Sequence, residues 1–235
     1  MRTIGLIGGM SWESSAEYYR IINEAVKQRL GGLHSAQLIL YSVDFAAIER
    51  LQMAGSWEEA GVILADAARR LELAGADFLL LCTNTMHKVA AAIEGAVAIP
   101  LVHIADPTGA AIRVGGFATV GLLGTHFTME QDFYRARLER EHGLRVVVPD
   151  EAGRAIVHRV IYDELCLGVV TEASRAAYRQ VMAGLVGRGA QAIILGCTEI
   201  MLLVGAADAT VPLFDTTRLH AEAAATLALA GGINP

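Results

Sequence analysis

The chain alternates short, unbroken apolar runs with longer stretches in which apolar residues recur every three or four positions. Unbroken runs bounded by glycine read as strands buried on both faces, and the wider spacing reads as helices that cover them. TIGLIGG over residues 3–9 predicts the first strand. Ser14, with Glu17 three positions on, has the form of a capping box, and Tyr18, Ile21, Ile22, Ala25 and Val26 then follow at helical spacing as far as Gly31 and Gly32. AQLILYSV over 36–43 predicts a second strand, 57–74 a second helix, ADFLLLC over 76–82 a third strand, and IPLVHI over 99–104 a fourth, whose Pro100 suits a sheet edge. This alternation is that of a doubly wound α/β unit with a parallel sheet.

The second half repeats the first. TVGLLGT from Thr119 follows TIGLIGG from Thr3 at an offset of 116, LRVVVP over 144–149 falls where a second strand belongs, AQAIILG over 190–196 matches ADFLLLC, and VPLFD over 211–215 matches IPLVH at an offset of 112. Such a period is too long for a solenoid. The expected architecture is therefore α/β with two similar lobes, each a four-stranded parallel sheet with flanking helices, related by a pseudo-twofold axis. The first lobe is expected over 1–112 plus 208–235, with a C-terminal helix from about 218 to 230 packing back on it, and the second over 113–207.

In open parallel sheets the ligand lies beyond the carboxyl ends of the strands, where strand order reverses. For the expected order 2-1-3-4 that place is marked by Gly8-Gly9-Met10-Ser11 and Thr83-Asn84-Thr85 in one lobe, and by Gly124-Thr125 and Cys197-Thr198-Glu199 in the other. If the lobes face each other, these loops enclose one small pocket of hydroxyls, an amide, a thiol and backbone N–H groups, without the His or Asp spacing of a metal site. Two registers compete for the third-strand repeat. An offset of 115 pairs Cys82 with Cys197, whereas 114 keeps Gly75-Ala76 in step with Gly189-Ala190 and pairs Thr83 with Cys197. The second preserves the whole apolar run and is preferred, because a slip of one residue turns every side chain to the other face.

Composition narrows the function classes. Of 235 residues 54% are hydrophobic and 19% charged, enough for real cores, and the formal charge of -6, without a basic patch, argues against nucleic acid and anionic membrane surfaces. Three cysteines do not build a disulfide framework, so reduced thiols and a cytoplasmic location are expected. The N-terminal apolar run is too short for a signal peptide, and the longest apolar run, 193–207, carries Glu199 and falls short of the roughly 20 residues of a membrane helix, so no membrane association is expected. GLIGGM lacks the G-x-G-x-x-G spacing of a dinucleotide site.

The segments GLIGGMSWES, CTNTMHK, GLLGTHFTMEQDFY, IYDELCLG, LGCTEI and FDTTRLHAEAA together resemble the aspartate/glutamate racemase family, in its cofactor-independent amino-acid racemase branch, over nearly the whole chain. The resemblance implies a two-lobed α/β homodimer that acts on a small amino acid without a cofactor, with two cysteines on opposite sides of the substrate Cα as acid and base. The second family motif, G-C-T-E, is intact as Gly196-Cys197-Thr198-Glu199. The first, C-N-T-x-H, has Thr83 in the cysteine's place before Asn84-Thr85-Met86-His87, with Cys82 one position too early. Cys197 and Thr83 are accordingly the expected catalytic pair, in agreement with the register taken from the repeat.

The chemistry needs a base for a very weakly acidic Cα proton and donors for the charge that develops on the carboxylate. Backbone N–H groups near Gly9, Thr85, Thr125 and Thr198 and the side chains of Asn84, Thr85 and Thr198 are the expected donors, with Met10 and Gln52 also in the substrate-binding set. Helix-start N–H groups are expected to depress the Cys197 thiol. His87 reads either as a loop holder or as a contact for the distal carboxylate, for which Arg50, Gln52, Lys88, His158 and Arg159 also compete. Glu199 reads as a substrate-site residue or simply a helix-start carboxylate. Cys82 and Cys166 read as packing, since free cysteine is among the most buried residue types. Two other functions fit the same residues: a decarboxylase or isomerase of small dicarboxylates on this fold, and a small-molecule binding protein without turnover.

Overall fold

The computed structural model describes residues 1–230. The chain divides into two compact units, one of residues 1–104 with those from 220 on, the other of residues 105–219. The first contains β1 (Ile4–Gly8), α1 (Trp12–Leu30), β2 (Leu38–Ser42), α2 (Phe45–Ala54), α3 (Trp57–Leu73), β3 (Phe78–Leu81), a 3-10 turn (Thr85–Val89) leading into α4 (Ala90–Glu94), and β4 (Leu101–Val102). Its parallel sheet has the order β2-β1-β3-β4. Alternation along the strands divides the core between two faces. Ile4, Leu6, Phe78, Leu80 and Cys82 pack against Tyr18, Ile21, Ile22 and Val26 of α1 and a row of alanines from 221 to 228, while Ile7, Leu79 and Leu81 pack against Leu64, Ala67, Ala68 and Leu71 of α3. Gly5 permits that second contact, because a Cβ there would stand 2.7 Å from Leu79 Cδ2.

The second unit contains α5 (Ala105–Val114), β5 (Thr119–Gly124), α6 (His126–Glu130), α7 (Asp132–His142), β6 (Arg145–Val147), α8 (Glu151–Asp163), a 3-10 turn (Leu165–Leu167), α9 (Glu172–Gly187), β7 (Ala192–Gly196), α10 (Ile200–Leu203), β8 (Leu213–Asp215) and α11 (Thr216–Ala230), which joins the first unit at His220. Its parallel sheet has the matching order β6-β5-β7-β8. Leu123, Ile193 and Leu195 pack against Val157, Val160 and Ile161 of α8 and Tyr178, Met182 and Leu185 of α9. Gly121 repeats the role of Gly5 at the offset of 116, here against Leu185.

Three expectations change. The first helix starts at Trp12, with Ser11 as its cap accepting the Ser14 N–H at 3.3 Å, so Ser14 and Glu17 lie inside the helix and make no capping box. A helix absent from the sequence reading, α2, precedes α3, capped by Asp44 on the Ala46 N–H at 3.2 Å. The boundaries expected near 112 and 208 lie at 104/105 and 219/220. β8 pairs in register with β7 (Ile193 with Leu213, Leu195 with Asp215), and α5 is tied to α7 by the two-bonded Arg137–Asp106 ion pair, so both elements belong to the second unit. Residues 231–235 of the expected first lobe lie outside the described residues.

The ladders decide the register of the repeat. Ile7 pairs with Leu81 in the first sheet and Leu123 pairs with Leu195 in the second. Leu81 and Leu195 differ by 114, so two residues further on Thr83 and Cys197 occupy equivalent positions and Cys82 corresponds to Gly196. Among the described residues no helix is long and apolar enough to cross a membrane.

Candidate functional site

Each sheet carries a group of buried polar loop residues just past the carboxyl ends of its two central strands. In the first unit Gly9 has φ +91°, and a Cβ there would overlap the Val43 carbonyl oxygen. Its N–H donates to Ser15 Oγ at 2.8 Å, and Ser15 Oγ donates to the Ser11 carbonyl at 3.0 Å. That N–H, expected to meet the ligand, is thus used inside the loop, and Ser15 is a loop-building residue the sequence reading missed. Met10 packs with Ile7, Leu64 and Met86 in the core. Gln52, buried on α2, directs Nε2 to Met86 Sδ at 2.9 Å and so braces the turn that carries Thr85 and His87.

Thr83, Asn84 and Thr85 are all buried at the end of β3. The Thr83 N–H donates to the Leu81 carbonyl at 2.9 Å. His87, also buried, has Nδ1 2.7 Å from the Thr83 carbonyl oxygen, and its Nε2 accepts the Ile104 N–H at 3.1 Å. Cys82 is completely enclosed in the core, and burial pushes its thiol far above the usual cysteine range. Lys88, one of the candidates for the distal carboxylate, lies with Nζ 3.9 Å from the centre of the Trp57 ring, and burial lowers its pKa.

In the second unit Thr125 caps α6, its Oγ1 accepting the Thr128 N–H at 3.3 Å. His126 follows, and its backbone N–H donates to His158 Nδ1 at 3.3 Å, with the two rings centred 4.3 Å apart. Burial, then the neighbouring His126, lowers the His158 pKa. Arg159 is exposed and paired with Glu164.

Cys197 is half-buried directly after β7. Its thiol donates to Glu199 Oε2 at 3.0 Å, and Thr198 Oγ1 donates to the same oxygen at 2.7 Å. Burial first, and the charge of Glu199 second, raise the Cys197 thiol well above its ordinary value. The expected depression by helix-start N–H groups is overturned: α10 is four residues long and begins only at Ile200, and the backbone bond to Glu199, which acts downward, is the smallest influence. Glu199 makes no side-chain cap bond to α10, so its carboxylate serves Cys197 and Thr198 instead. Cys166, half-buried in the turn after α8, packs on the same core as Cys197.

Residues 7–224 match the family model described as Asp/Glu/Hydantoin racemase. The chain is similar to the crystal structure of a Yersinia pestis protein provisionally assigned as an Asp/Glu racemase, with 58% identity, a TM-score of 0.92, and coverage of 97% of this chain and 100% of that one. It is also similar to an aspartate racemase homologue from Pyrococcus horikoshii OT3, with 35% identity, a TM-score of 0.84, and coverage of 97% and 99%. Among curated relatives, the broad specificity amino-acid racemase RacX of Bacillus subtilis (strain 168) is 21% identical over 239 residues, 97% of this chain and 98% of RacX.

Proposed function

Since this chain belongs to the Asp/Glu/Hydantoin racemase family, we propose that it racemises an acidic amino acid, aspartate or glutamate, without a cofactor, by proton transfer at Cα between Cys197 and Thr83. The observation that carries the reading is the equivalence of these two residues, Thr83 standing two positions past the Ile7–Leu81 pair and Cys197 two positions past the corresponding Leu123–Leu195 pair. Cys197 as thiolate takes the Cα proton, and the electron pair of the broken C–H bond passes into the substrate carboxylate. Thr83 gives its hydroxyl proton to the other face, forming the new C–H bond, and recovers a proton from solvent, while Cys197 releases to solvent the proton it took, which restores the thiolate. Asn84, Thr85, Thr125 and Thr198 supply donors around the reacting carboxylate. Glu199 aims the Cys197 sulfur and holds it as a thiol in the resting protein, so the base forms only when that proton has left. A homodimer in the cytoplasm is the proposed working form, supported by the family resemblance and by the three free cysteines.

The asymmetric pair makes the test. A thiolate is a far better base than a threonine hydroxyl, so abstraction from the face served by Cys197 is fast, and we assign that face to the L enantiomer. The two enantiomers have equal free energy in water, so kcat/KM is equal in both directions and the asymmetry lies in kcat and KM separately. Initial rates with pure L and pure D substrate are compared for wild type and Thr83→Cys. The variant is expected to raise kcat for the slow enantiomer more than for the fast one, and an unchanged ratio removes Thr83 from the reaction. Carbon dioxide released from a malonate-type acid, with no exchange of an amino-acid Cα hydrogen, would favour the decarboxylase reading instead.

A further inference from the structure

Two buried histidines of the first unit have hydrogen bonds whose directions fix their tautomers. The Ile104 N–H donates to His87 Nε2 at 3.1 Å, and a ring nitrogen that accepts carries no proton. The proton of the neutral ring therefore sits on Nδ1, 2.7 Å from the Thr83 carbonyl oxygen, which can only accept. His220 has the opposite tautomer: Nε2 lies 2.8 Å from the Val102 carbonyl and must donate, so Nδ1 accepts the Tyr18 hydroxyl at 2.8 Å. His103, between Val102 and Ile104 in sequence, has its ring 4.3 Å from that of His87. The segment 102–104 is thus held at Val102 by His220 and at Ile104 by His87, and His87 extends the hold to Thr83.

We propose that His87 is a positioning residue for Thr83 rather than a substrate contact, an inference that rests on the role proposed above for Thr83. Its Nδ1–H fixes the Thr83 carbonyl, and the Thr83 N–H is already fixed on the Leu81 carbonyl at 2.9 Å. Threonine is β-branched and stiff at χ1, so pinning both backbone groups leaves its hydroxyl few directions. A neutral His87 whose proton is given to Thr83 has no N–H left for a distal carboxylate. His87 and Thr83 therefore act as one unit.

Two nearly isosteric variants separate the two ring nitrogens. In His87→Asn the amide nitrogen takes the place of Nδ1–H and keeps the bond to Thr83, and in His87→Gln the amide oxygen takes the place of Nε2 and keeps only the bond to Ile104. Each loses one buried hydrogen bond, so similar melting temperatures are expected. We expect kcat to fall roughly tenfold or more further in His87→Gln than in His87→Asn, the size of effect that a small misplacement of a reacting group produces, with KM little changed in either. Equal kcat in the two variants, or a rise in KM at unchanged kcat, overturns the proposal. Should neither variant fold, the 15N shifts of the His87 ring in the unmodified protein decide: a protonated Nδ1 beside an unprotonated Nε2 is expected, and an imidazolium or the reverse tautomer overturns it. A wild-type protein without racemase activity would instead count against the proposed function, and the 15N measurement would still test the tautomer.

Discussion

At Cys197 two influences oppose the chemistry the residue is assigned. Burial and the Glu199 carboxylate both favour the thiol, so kcat/KM, which reports the free enzyme, is expected to rise with pH along a limb displaced above the ordinary cysteine value of about 8.5. Glu199→Gln removes the second of these causes and should move the limb to lower pH; a limb that stays in place or moves upward contradicts the assignment. The G-C-T-E motif singled out Cys197, and the repeat singled out Thr83 as the residue at the equivalent position, which the strand ladders bear out. The raised thiol was not legible, because its causes are enclosure and a carboxylate turned back on the sulfur, and neither is written in residue order. The same holds for Gly9, whose N–H is taken by Ser15, and for His87, whose two readings only the Thr83 and Ile104 contacts separate.

Elements were legible where pattern and packing agree. The central strands β1, β3, β5 and β7 are apolar runs buried almost throughout, and the sheets realise the expected order, because a strand buried on both faces has little freedom in composition. Helix starts were less so. Ser14-x-x-Glu17 matches the capping-box pattern and Ser11, with Ser14 three positions on, does not, yet Ser11 is the residue that caps the helix. Residues 45–54 carry no helical period in the sequence because α2 buries only Ile48 and Gln52, one apolar and one polar. Gly9→Ala is the sharpest test at this scale. With φ +91° and the Val43 backbone in the way, the substitution is expected to cost about 2 kcal/mol or more in urea unfolding, and a loss below about 0.5 kcal/mol would show that the loop relaxes. Asp150→Ala, which removes the 2.8 Å cap bond to Gly153 at the start of α8, should cost about 1 kcal/mol and leave kcat unchanged.

The molecule as a whole is a duplicated pattern, and the duplication carried the sequence reading furthest: it supplied the strand correspondence, the register and the pairing of Thr83 with Cys197. It did not supply the boundaries, since α11 begins in one unit and continues in the other. Burial also sets how stability depends on pH. Cys82, Cys197, Tyr134 and Tyr178 are all raised, chiefly by burial. Their contribution is therefore complete below the unfolded-state values, about 8.5 for cysteine and 10 for tyrosine, and is lost as pH rises through the higher folded values. Urea midpoints are expected to fall above about pH 8.5 and more steeply above about pH 10, and a midpoint that rises over this range would contradict the sign.

The central claim is that Cys197 moves the Cα proton of an acidic amino acid without a cofactor. L-aspartate and L-glutamate are incubated separately in D2O with wild type and with Cys197→Ser, no cofactor being added, and the products are resolved by chirality and by mass. The account predicts that wild type forms the D enantiomer with deuterium at Cα from at least one of the two substrates, and that folded Cys197→Ser, left with a poor base, forms none. Absence of exchange in wild type with both substrates, or exchange near the wild-type rate in Cys197→Ser, would contradict it.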